Sequence, residues 1–592
     1  MNSVKNHKKI IFKKFVCIMP GILFSIFFIY KSSFSFNQER VFTLSDDVMI
    51  SMSYAKNLIQ NGQFTWFEGA DRVQGYTNFL YTILLAAVHF FNLSNSLNAL
   101  FVSLFNLLLI VLISLKVINL SQKINKNNLN LSLFLGALIT FQYPLIFWSL
   151  RGFEVGLLSF LLIVILEQLF VLNSKNFGTN EKALKKIYFF LLVGTLVRLD
   201  FVVVWIAVNL YLLLFKIRNS LIFKDFFNYN LFLSVVLISF LTLQYLYYGS
   251  FLPNTFYLKT DGFSLIEKIP RGILSSLKIF PLLLLSFLLF INTLKNKKRD
   301  DLTIPIFFIS FFIVLYNIII GGDAWEVYNF ANRFITLLIP VLLLLVNIVD
   351  FNKFSNSNLL FKTIIIGTVM FSIFFFNLNV SKILGFEKIT SDDFEMTSYE
   401  FIYLLLCLLL LLSGSSSKKY ILSIIFTVYL SFSHISYMLN TEVHITSTDY
   451  LNTQIGNKIN EITSEKAKIA VFWAGNIAYY SDRNMIDLLG KSDEFIAKGP
   501  AVREETRSKY NFNDFFPGHN KWNFEYSIGQ LQPDIIVRSW ENSNFYSYIE
   551  NYEYVESCIT VNTVNGEKEF KIFIRSNSSN IFLDKVFDCS KN

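Results

Sequence analysis

Long apolar runs recur along most of this chain and restrict its possible folds more than any other feature. Hydrophobic residues account for 53% of the 592 positions, and the mean hydropathy is +0.47. A soluble chain of this length does not carry so much apolar sequence, so we predict a polytopic α-helical membrane protein with about thirteen spans. The runs lie at 13–31, 96–119, 130–147, 153–173, 187–199, 201–216, 229–247, 273–292, 303–320, 333–350, 360–379, 400–413 and 418–437.

A further apolar stretch, 79–92, decides the orientation of the chain. If this stretch lies at the membrane interface and does not cross, the basic loops all face the cytoplasm, as the positive-inside rule requires. We therefore predict a juxtamembrane helix there, a cytoplasmic N-terminus and an outer C-terminal region. The basic residues concerned are Lys8, Lys9, Lys13, Lys14, Lys123, Lys126, Lys182, Lys185, Lys186, Lys216, Arg218, Lys295, Lys297, Lys298, Arg299, Lys418 and Lys419.

The net charge of +9 is explained by these loops. No basic stripe with interleaved aromatic residues is present, which argues against nucleic-acid binding. The orientation divides the chain into a membrane domain, 1–440, and an outer α/β domain, 441–592. The first outer loop, 32–94, is predicted to carry juxtamembrane helices.

The outer domain has strand-like apolar runs at 468–474, 534–538 and 570–575. Cys558 and Cys589 also lie there, and in an oxidising compartment they either pair or stay free. The histidines and cysteines have no metal-binding spacing. No cofactor is therefore expected, although the sequence leaves a divalent cation open.

Ionisable residues near the span ends fall on one side of the membrane in this topology. Such groups are costly at membrane depth unless they are paired or face a polar cavity, so their convergence predicts a polar site on the outer side. The runs 187–199 and 201–216 are predicted to form one long helix interrupted at this site. The residues are Asp46, Asp47, Arg151, Glu154, Arg198, Asp200, Lys259, Asp323 and Arg333.

Two adjacent carboxylates, Asp46 and Asp47, follow the first apolar run and precede a helical pattern. They either cap this helix and favour its dipole, or one of them acts as a general base for an acceptor hydroxyl. The two roles are compatible, because a capped helix holds a carboxylate at a fixed place beside the membrane.

The cations at the outer side have two interpretations as well. Arg151 with Glu154, and Arg198 with Asp200, either form structural ion pairs or present a cation to a lipid phosphate. Lys259 and Arg333 lie beside loops that contain glycine or proline. These two residues either anchor their spans at the interface or bind phosphate.

The first outer loop, with DDVMISMSYAKNL at 46–58 and VQGYTNFL at 73–80, resembles the corresponding loop of bacterial GT-C class glycosyltransferases. The resemblance is greatest to the terminal β-(1→2)-arabinofuranosyltransferase family. Further stretches agree with that family in the same order along nearly the whole chain. They lie at 148–156, 196–201, 247–259, 321–340, 471–493, 517–522 and 532–537.

This resemblance implies the GT-C fold and a sugar donor linked to polyprenyl phosphate. It implies that Asp46 or Asp47 is the catalytic base, and that the donor phosphate binds to Lys259, Arg333 and Arg198. Direct displacement would invert the anomeric centre. The residues expected to contact substrate are Tyr76, Asn78, Arg151, Glu154, Asp200, Asn254, Asp323 and Trp325.

The expected partners are the lipid-linked donor, membrane lipids and an acceptor that is a glycan, a lipid-linked glycan or a protein. The expected location is the bacterial inner membrane, with the C-terminal domain in the periplasm or its equivalent. Two other functions stay open. A flippase for lipid-linked sugars needs polar groups along its whole path, and an envelope-assembly protein without catalysis would use the aspartates only as caps.

Overall fold

The computed structural model describes most of the chain outside the region between the two predicted domains. The predicted spans 360–379, 400–413 and 418–437 lie outside the described residues. The described residues are 2–36, 38–125, 128–173, 177–216, 220–295, 302–326, 330–348, 442–503, 515–537, 545–563 and 566–589.

The N-terminal part is almost entirely helical, with one short hairpin between β1 (Phe34–Phe36) and β2 (Glu39–Val41). Its helices are α1 (Asn2–Lys31), α2 (Asp46–Asn61), α3 (Phe79–His89), α4 (Asn95–Ile124), α5 (Leu129–Ile139), α6 (Tyr143–Leu150), α7 (Val155–Asn173), α8 (Phe177–Val197), α9 (Val202–Phe215), α10 (Ser220–Tyr248), α11 (Asn254–Thr260), α12 (Leu265–Ser276), α13 (Phe280–Lys295), α14 (Thr303–Ile320), α15 (Arg333–Thr336) and α16 (Ile339–Ile348).

Five helices in the described residues are long and apolar enough to cross a membrane. They become six if the bent pair α5 and α6, at an angle of 49°, forms one span. The predicted count of about thirteen spans is not confirmed. The five segments are Lys8–Lys31, Asn95–Ile124, Val155–Asn173, Phe223–Tyr248 and Thr303–Ile320.

Two irregular features of the helical part agree with the sequence pattern. The stretch 79–92 contains only the 11-residue helix α3, which at about 1.5 Å per residue is too short to cross a bilayer core of about 30 Å. The predicted interruption is also present, because α8 ends at Val197 and a 3₁₀ turn, Leu199–Phe201, precedes α9. Arg198 takes an extended conformation at this break.

The C-terminal part contains a five-stranded sheet with the order β4-β3-β5-β7-β6. Strands β3, β4 and β5 are parallel, whereas β7 is antiparallel to both β5 and β6. Cys558 on β6 forms a disulfide with Cys589. The elements are α17 (Glu442–Ile462), β3 (Lys468–Val471), α18 (Asn476–Ser481), β4 (Asn484–Asp487), α19 (Glu494–Lys498), β5 (Ile535–Val537), α20 (Phe545–Asn551), β6 (Tyr554–Thr563) and β7 (Gly566–Arg575).

Helix α2 is packed between the two parts of the molecule. Met49 and Met52 lie in the large core of the membrane helices. Ile50 and Tyr54 lie in a second core together with buried residues of the C-terminal sheet, such as Ile469. Burying an apolar side chain of this size stabilises by about 1.5–3 kcal/mol. Both cores therefore fix α2, and with it the two aspartates of its first turn.

Candidate active site

Asp46 is fully buried and binds the C-terminal domain. Its two carboxylate oxygens accept hydrogen bonds from the backbone N–H groups of Gly475, at 3.2 Å, and Asn476, at 2.9 Å. Burial raises the pKa of Asp46 to about 7, against the opposing effects of Lys491 and of the Asn476 hydrogen bond. The fit is close, since a Cβ atom on Gly475 would lie 1.8 Å from the backbone oxygen of Asp46. Only glycine allows this approach.

Arg151 lies beside Asp46 and makes a second connection between the domains. Its Nη2 atom is 2.6 Å from Oδ2 of Asp449 on α17, and its Nη1 atom donates to the carbonyl oxygen of Thr43 at 2.9 Å. The other oxygen of Asp449 accepts the backbone N–H of Asp46 at 3.0 Å. We call this set the docking seam; it consists of Thr43, Asp46, Arg151, Asp449, Gly475 and Asn476.

Asp47 faces a different environment, although it is the next residue on the same helix. Its Oδ1 atom lies 2.8 Å from Nζ of Lys491, and its Oδ2 atom lies 3.1 Å from Nη1 of Arg333. The indole Nε1 of Trp325 donates to the same Oδ2 at 3.2 Å. Burial opposes ionisation, but Lys491 and Arg333 outweigh it and hold the pKa of Asp47 well below its ordinary value.

Lys491 reaches Asp47 from the loop that follows β4. This loop is held by Asp487, whose carboxylate accepts the backbone N–H groups of Leu489, Gly490 and Ser492 at 2.9, 3.2 and 2.6 Å. Loops after parallel strands collect at one edge of a sheet, which is where α/β domains bind ligands. The sheet thus contributes a cation to a site whose carboxylate belongs to the membrane domain.

Arg333 also pairs with Asp323, which is fully buried. Its Nε atom lies 2.8 Å from Oδ2 and its Nη2 atom donates to Oδ1 at 3.0 Å. Arg198, at the break between α8 and α9, pairs with Glu154 at 2.8 Å and with Asp200 at 2.9 Å. Each arginine is therefore held by carboxylates in a fixed orientation, as a preorganised binding site requires.

The ring of Phe334 is surrounded by three of the cations. Arg198 lies 4.5 Å from the ring centroid, Lys259 lies 5.1 Å away and Arg333 lies 5.7 Å away. These distances are within the range of cation–π contacts. We call the whole group the charge cluster; it consists of Asp47, Glu154, Arg198, Asp200, Lys259, Asp323, Arg333 and Lys491.

Lys259 is the exception within the charge cluster. The other cations each have a carboxylate within ion-pair distance, whereas Lys259 has none among the described residues. Burial, with a smaller effect of Arg333, lowers the pKa of Lys259 to about 8. Within the described part of the chain, the ammonium therefore has no carboxylate at ion-pair distance, and an anion that enters the cluster would supply a counter-ion.

The remaining residues predicted to contact substrate occupy varied positions. Asn78 donates to Glu154 at 3.0 Å, which places it beside the charge cluster. Tyr76 lies in an aromatic group, with its hydroxyl 3.0 Å from that of Tyr248. Asn254 donates to the carbonyl oxygen of Gly490 at 3.2 Å and so supports the Lys491 loop. Arg151 belongs to the docking seam, away from the cations around Phe334.

Sequence reasoning missed three residues of the C-terminal part. Lys491 and Asp449 contact the aspartates directly, and His519 lies within electrostatic range of Asp47. Burial and the nearby Lys491 lower the pKa of His519 to about 3, so this imidazole is neutral. One feature of the sequence could have identified Lys491 as a site residue. It follows a short apolar strand within 471–493, one of the stretches that resemble the arabinofuranosyltransferase family.

Among the described residues, no group of three or more His, Cys, Asp or Glu side chains has a geometry that could hold a metal ion. Both oxygens of Asp47 already face cations. The positive charge near this carboxylate is therefore supplied by arginine and lysine side chains.

Comparison with protein-family models matches the C-terminal part of the chain. Residues 440–573 match a domain of unknown function (DUF8728). Comparison with curated proteins finds no match.

Comparison with solved structures covers nearly the whole chain. ArnT from Cupriavidus metallidurans bound to undecaprenyl phosphate is 11% identical, with a TM-score of 0.55 over 95% of this chain and 98% of that one. The apo structure of the same protein is also 11% identical, with a TM-score of 0.50 over 90% and 94%. The apo Archaeoglobus fulgidus oligosaccharyltransferase is 10% identical, with a TM-score of 0.43 over 96% and 75%. This chain therefore shares its overall fold with ArnT, in agreement with the GT-C fold predicted from its sequence.

Proposed function

We propose that this protein is an inverting glycosyltransferase that moves a sugar from a polyprenyl-phosphate donor to a hydroxyl group of an envelope glycan or another exported acceptor. One observation carries the proposal. Three cations surround the Phe334 ring beside Asp47, and one of them, Lys259, has no carboxylate partner among the described residues. Such a site suits a phosphate group next to a carboxylate base.

The donor phosphate binds at Lys259, Arg333 and Arg198 in this proposal. The acceptor oxygen attacks the anomeric carbon while its proton passes to a carboxylate. The bond between the anomeric carbon and the phosphate oxygen breaks, and the electron pair leaves on the phosphate. The resulting monoester carries additional negative charge, which the fixed cations stabilise in a partly dry site.

Asp47 is the better candidate for the base. Its side chain is 17% exposed, so an acceptor hydroxyl has access to it. Asp46 is 0% exposed, and both of its oxygens accept backbone N–H groups of the C-terminal domain. We therefore assign Asp47 to proton transfer and Asp46 to docking, which chooses between the two aspartates that the sequence leaves open as the base.

The placement of the site supports an outer-face reaction in the bacterial inner membrane. The charge cluster joins the membrane helices to the C-terminal domain, and the charge of the loops predicts that this domain lies outside. The donor would enter from the lipid phase, as suits a polyprenyl chain. The bound lipid in the ArnT structure, undecaprenyl phosphate, has the same chemistry as the proposed leaving group.

The test is release of polyprenyl phosphate by the purified full-length protein in lipid nanodiscs. A panel of polyprenyl-phosphate sugars, with arabinofuranose among them, is incubated with an extract of envelope glycans, and the lipid product is measured by mass spectrometry. We expect release from at least one donor, and the rate in EDTA tests the dependence on a divalent cation that the sequence leaves open. Movement of intact donor across proteoliposomes without release would instead indicate a flippase.

A further inference from the structure

The pairing of Asp47 raises a difficulty for its proposed role. A carboxylate with Lys491 on one oxygen and Arg333 on the other is a weak base, because both cations favour its ionised form. A hydroxyl proton is accepted more readily once those cations bind elsewhere. The resting arrangement therefore holds Asp47 in place and keeps it inactive as a base.

The same cations lie where a donor phosphate would bind. Arg333 contacts both Asp47 and the Phe334 ring that Lys259 also approaches. Lys491 lies close to Arg333, since Nζ of Lys491 and Nη1 of Arg333 contact the two oxygens of the same Asp47 carboxylate, at 2.8 and 3.1 Å. A phosphate bound there competes with Asp47 for the two cations.

We propose that Lys491 is shared between Asp47 and the donor phosphate, so that donor binding draws this lysine away from Asp47 and releases the carboxylate as a base. The proposal rests on the proposed function and makes the C-terminal domain part of the catalytic site. Lys491 acts here as a phosphate-binding residue and as a positioning residue for Asp47. Without donor, Asp47 stays ionised and paired with Lys491 and Arg333, so it does not act as a base.

Among the charged groups near Asp47, Lys491 and Arg333 have the largest effect on the ionisation of its carboxylate. Asp46 and Asp449 are bound within the docking seam, and Lys259 acts on Asp47 from a greater distance than an ion pair. The titratable groups that face Asp47 are Asp46, Lys259, Arg333, Asp449, Lys491 and His519.

The test measures binding of undecaprenyl phosphate to the full-length protein in nanodiscs. Lys491→Met is expected to weaken binding by about tenfold or more, as loss of one charge-assisted hydrogen bond would. Lys491→Arg should keep most of the affinity. Asp47→Asn should tighten binding by about tenfold, because the cations are no longer held by the carboxylate.

The double variant Asp47→Asn/Lys491→Met distinguishes two reasons for tighter binding: release of the shared Lys491, and loss of the repulsion between Asp47 and phosphate. If Lys491 is shared, Asp47→Asn gains clearly less in the Lys491→Met background than in the wild type, and the gain that remains comes from Arg333 and from the loss of repulsion by the carboxylate. The control is Lys571→Met, which removes a lysine of the same domain that pairs with Glu556 at 2.8 Å. This control should bind like the wild type.

Two results would overturn the inference, and they differ in what they mean for the enzyme. Equal affinity of wild type and Lys491→Met, or a full gain from Asp47→Asn without Lys491, would refute sharing and leave the proposed transferase intact. A wild-type protein that binds no undecaprenyl phosphate would refute both proposals.

Discussion

The docking seam and the charge cluster start at adjacent residues of α2 and join the same two parts of the molecule, but they differ in how their charges are matched. In the seam, Arg151 and Asp449 form a buried pair, and Asp46 is bound by backbone N–H groups. In the cluster, Asp47 is partly exposed and Lys259 has no carboxylate partner among the described residues.

This difference indicates which region serves stability and which serves chemistry. A buried ion pair such as Arg151 with Asp449 resists change, because removing one partner leaves the other uncompensated. A cation without a counter-ion gives up stability and gains a place for an anionic ligand. In the proposed function, the seam holds the domains in register, and the cluster between them binds the substrate.

The largest expected effect follows from removing Arg333, which joins Asp47 to Asp323. Arg333→Met should reduce sugar transfer by about 10²- to 10³-fold, as loss of a preorganised charge-stabilising group does. Arg333→Lys should recover part of the rate. Steady-state release of polyprenyl phosphate measures both, and a rate within threefold of wild type for Arg333→Met would remove this residue from the mechanism.

A substitution in the docking seam should lower the stability of the protein but leave the rate of sugar transfer per folded molecule unchanged. Arg151→Met leaves Asp449 buried without its partner and should lower the free energy of unfolding by about 3–5 kcal/mol. Thermal melting in detergent measures this loss, and turnover per folded molecule at low temperature should stay near the wild-type value. A variant that melts normally but turns over slowly would move Arg151 into the active site, as the sequence had suggested.

Lys259 should show the opposite behaviour. Lys259→Met removes a cation without an ion-pair partner in the described residues, so the melting temperature should not fall, while transfer drops by about 10- to 100-fold. Because the pKa of Lys259 is lowered to about 8, wild-type transfer should also decline as pH rises through about 8. That decline should be absent from the residual activity of Lys259→Met, and a decline of equal size would assign the titration to another group.

Much of the architecture could be predicted because it depends on local patterns. Charged residues inside an apolar run marked the break at Arg198, and a short apolar stretch marked α3. The runs near β3, β5 and β7 were recognised as strands. Strand β4 (Asn484–Asp487) has a polar residue at each end, and β6 is rich in polar side chains, so neither shows a strong apolar pattern.

The roles within the site depend on contacts that no local pattern encodes. Asp46 and Asp47 have the same side chain and adjacent positions, but they contact different residues of the C-terminal part. Asp46 binds Asn476, 430 positions away in the sequence, and Asp47 binds Lys491, 444 positions away. Arg151 and Glu154 are close in sequence but point to different partners. Gly152, with φ of +95°, turns the chain between them.

The division of roles between the two aspartates is the central claim, and turnover of Asp46→Asn and Asp47→Asn measured side by side tests it most directly. We expect Asp47→Asn to fold, although it leaves Lys491 without its carboxylate partner, and to lose at least about 10²-fold in transfer per folded molecule, as removal of a general base does. Asp46→Asn should melt at a lower temperature and keep transfer per folded molecule within about threefold of wild type, because it serves docking. The reverse pattern, with Asp47→Asn active and Asp46→Asn folded but inactive, would contradict the account.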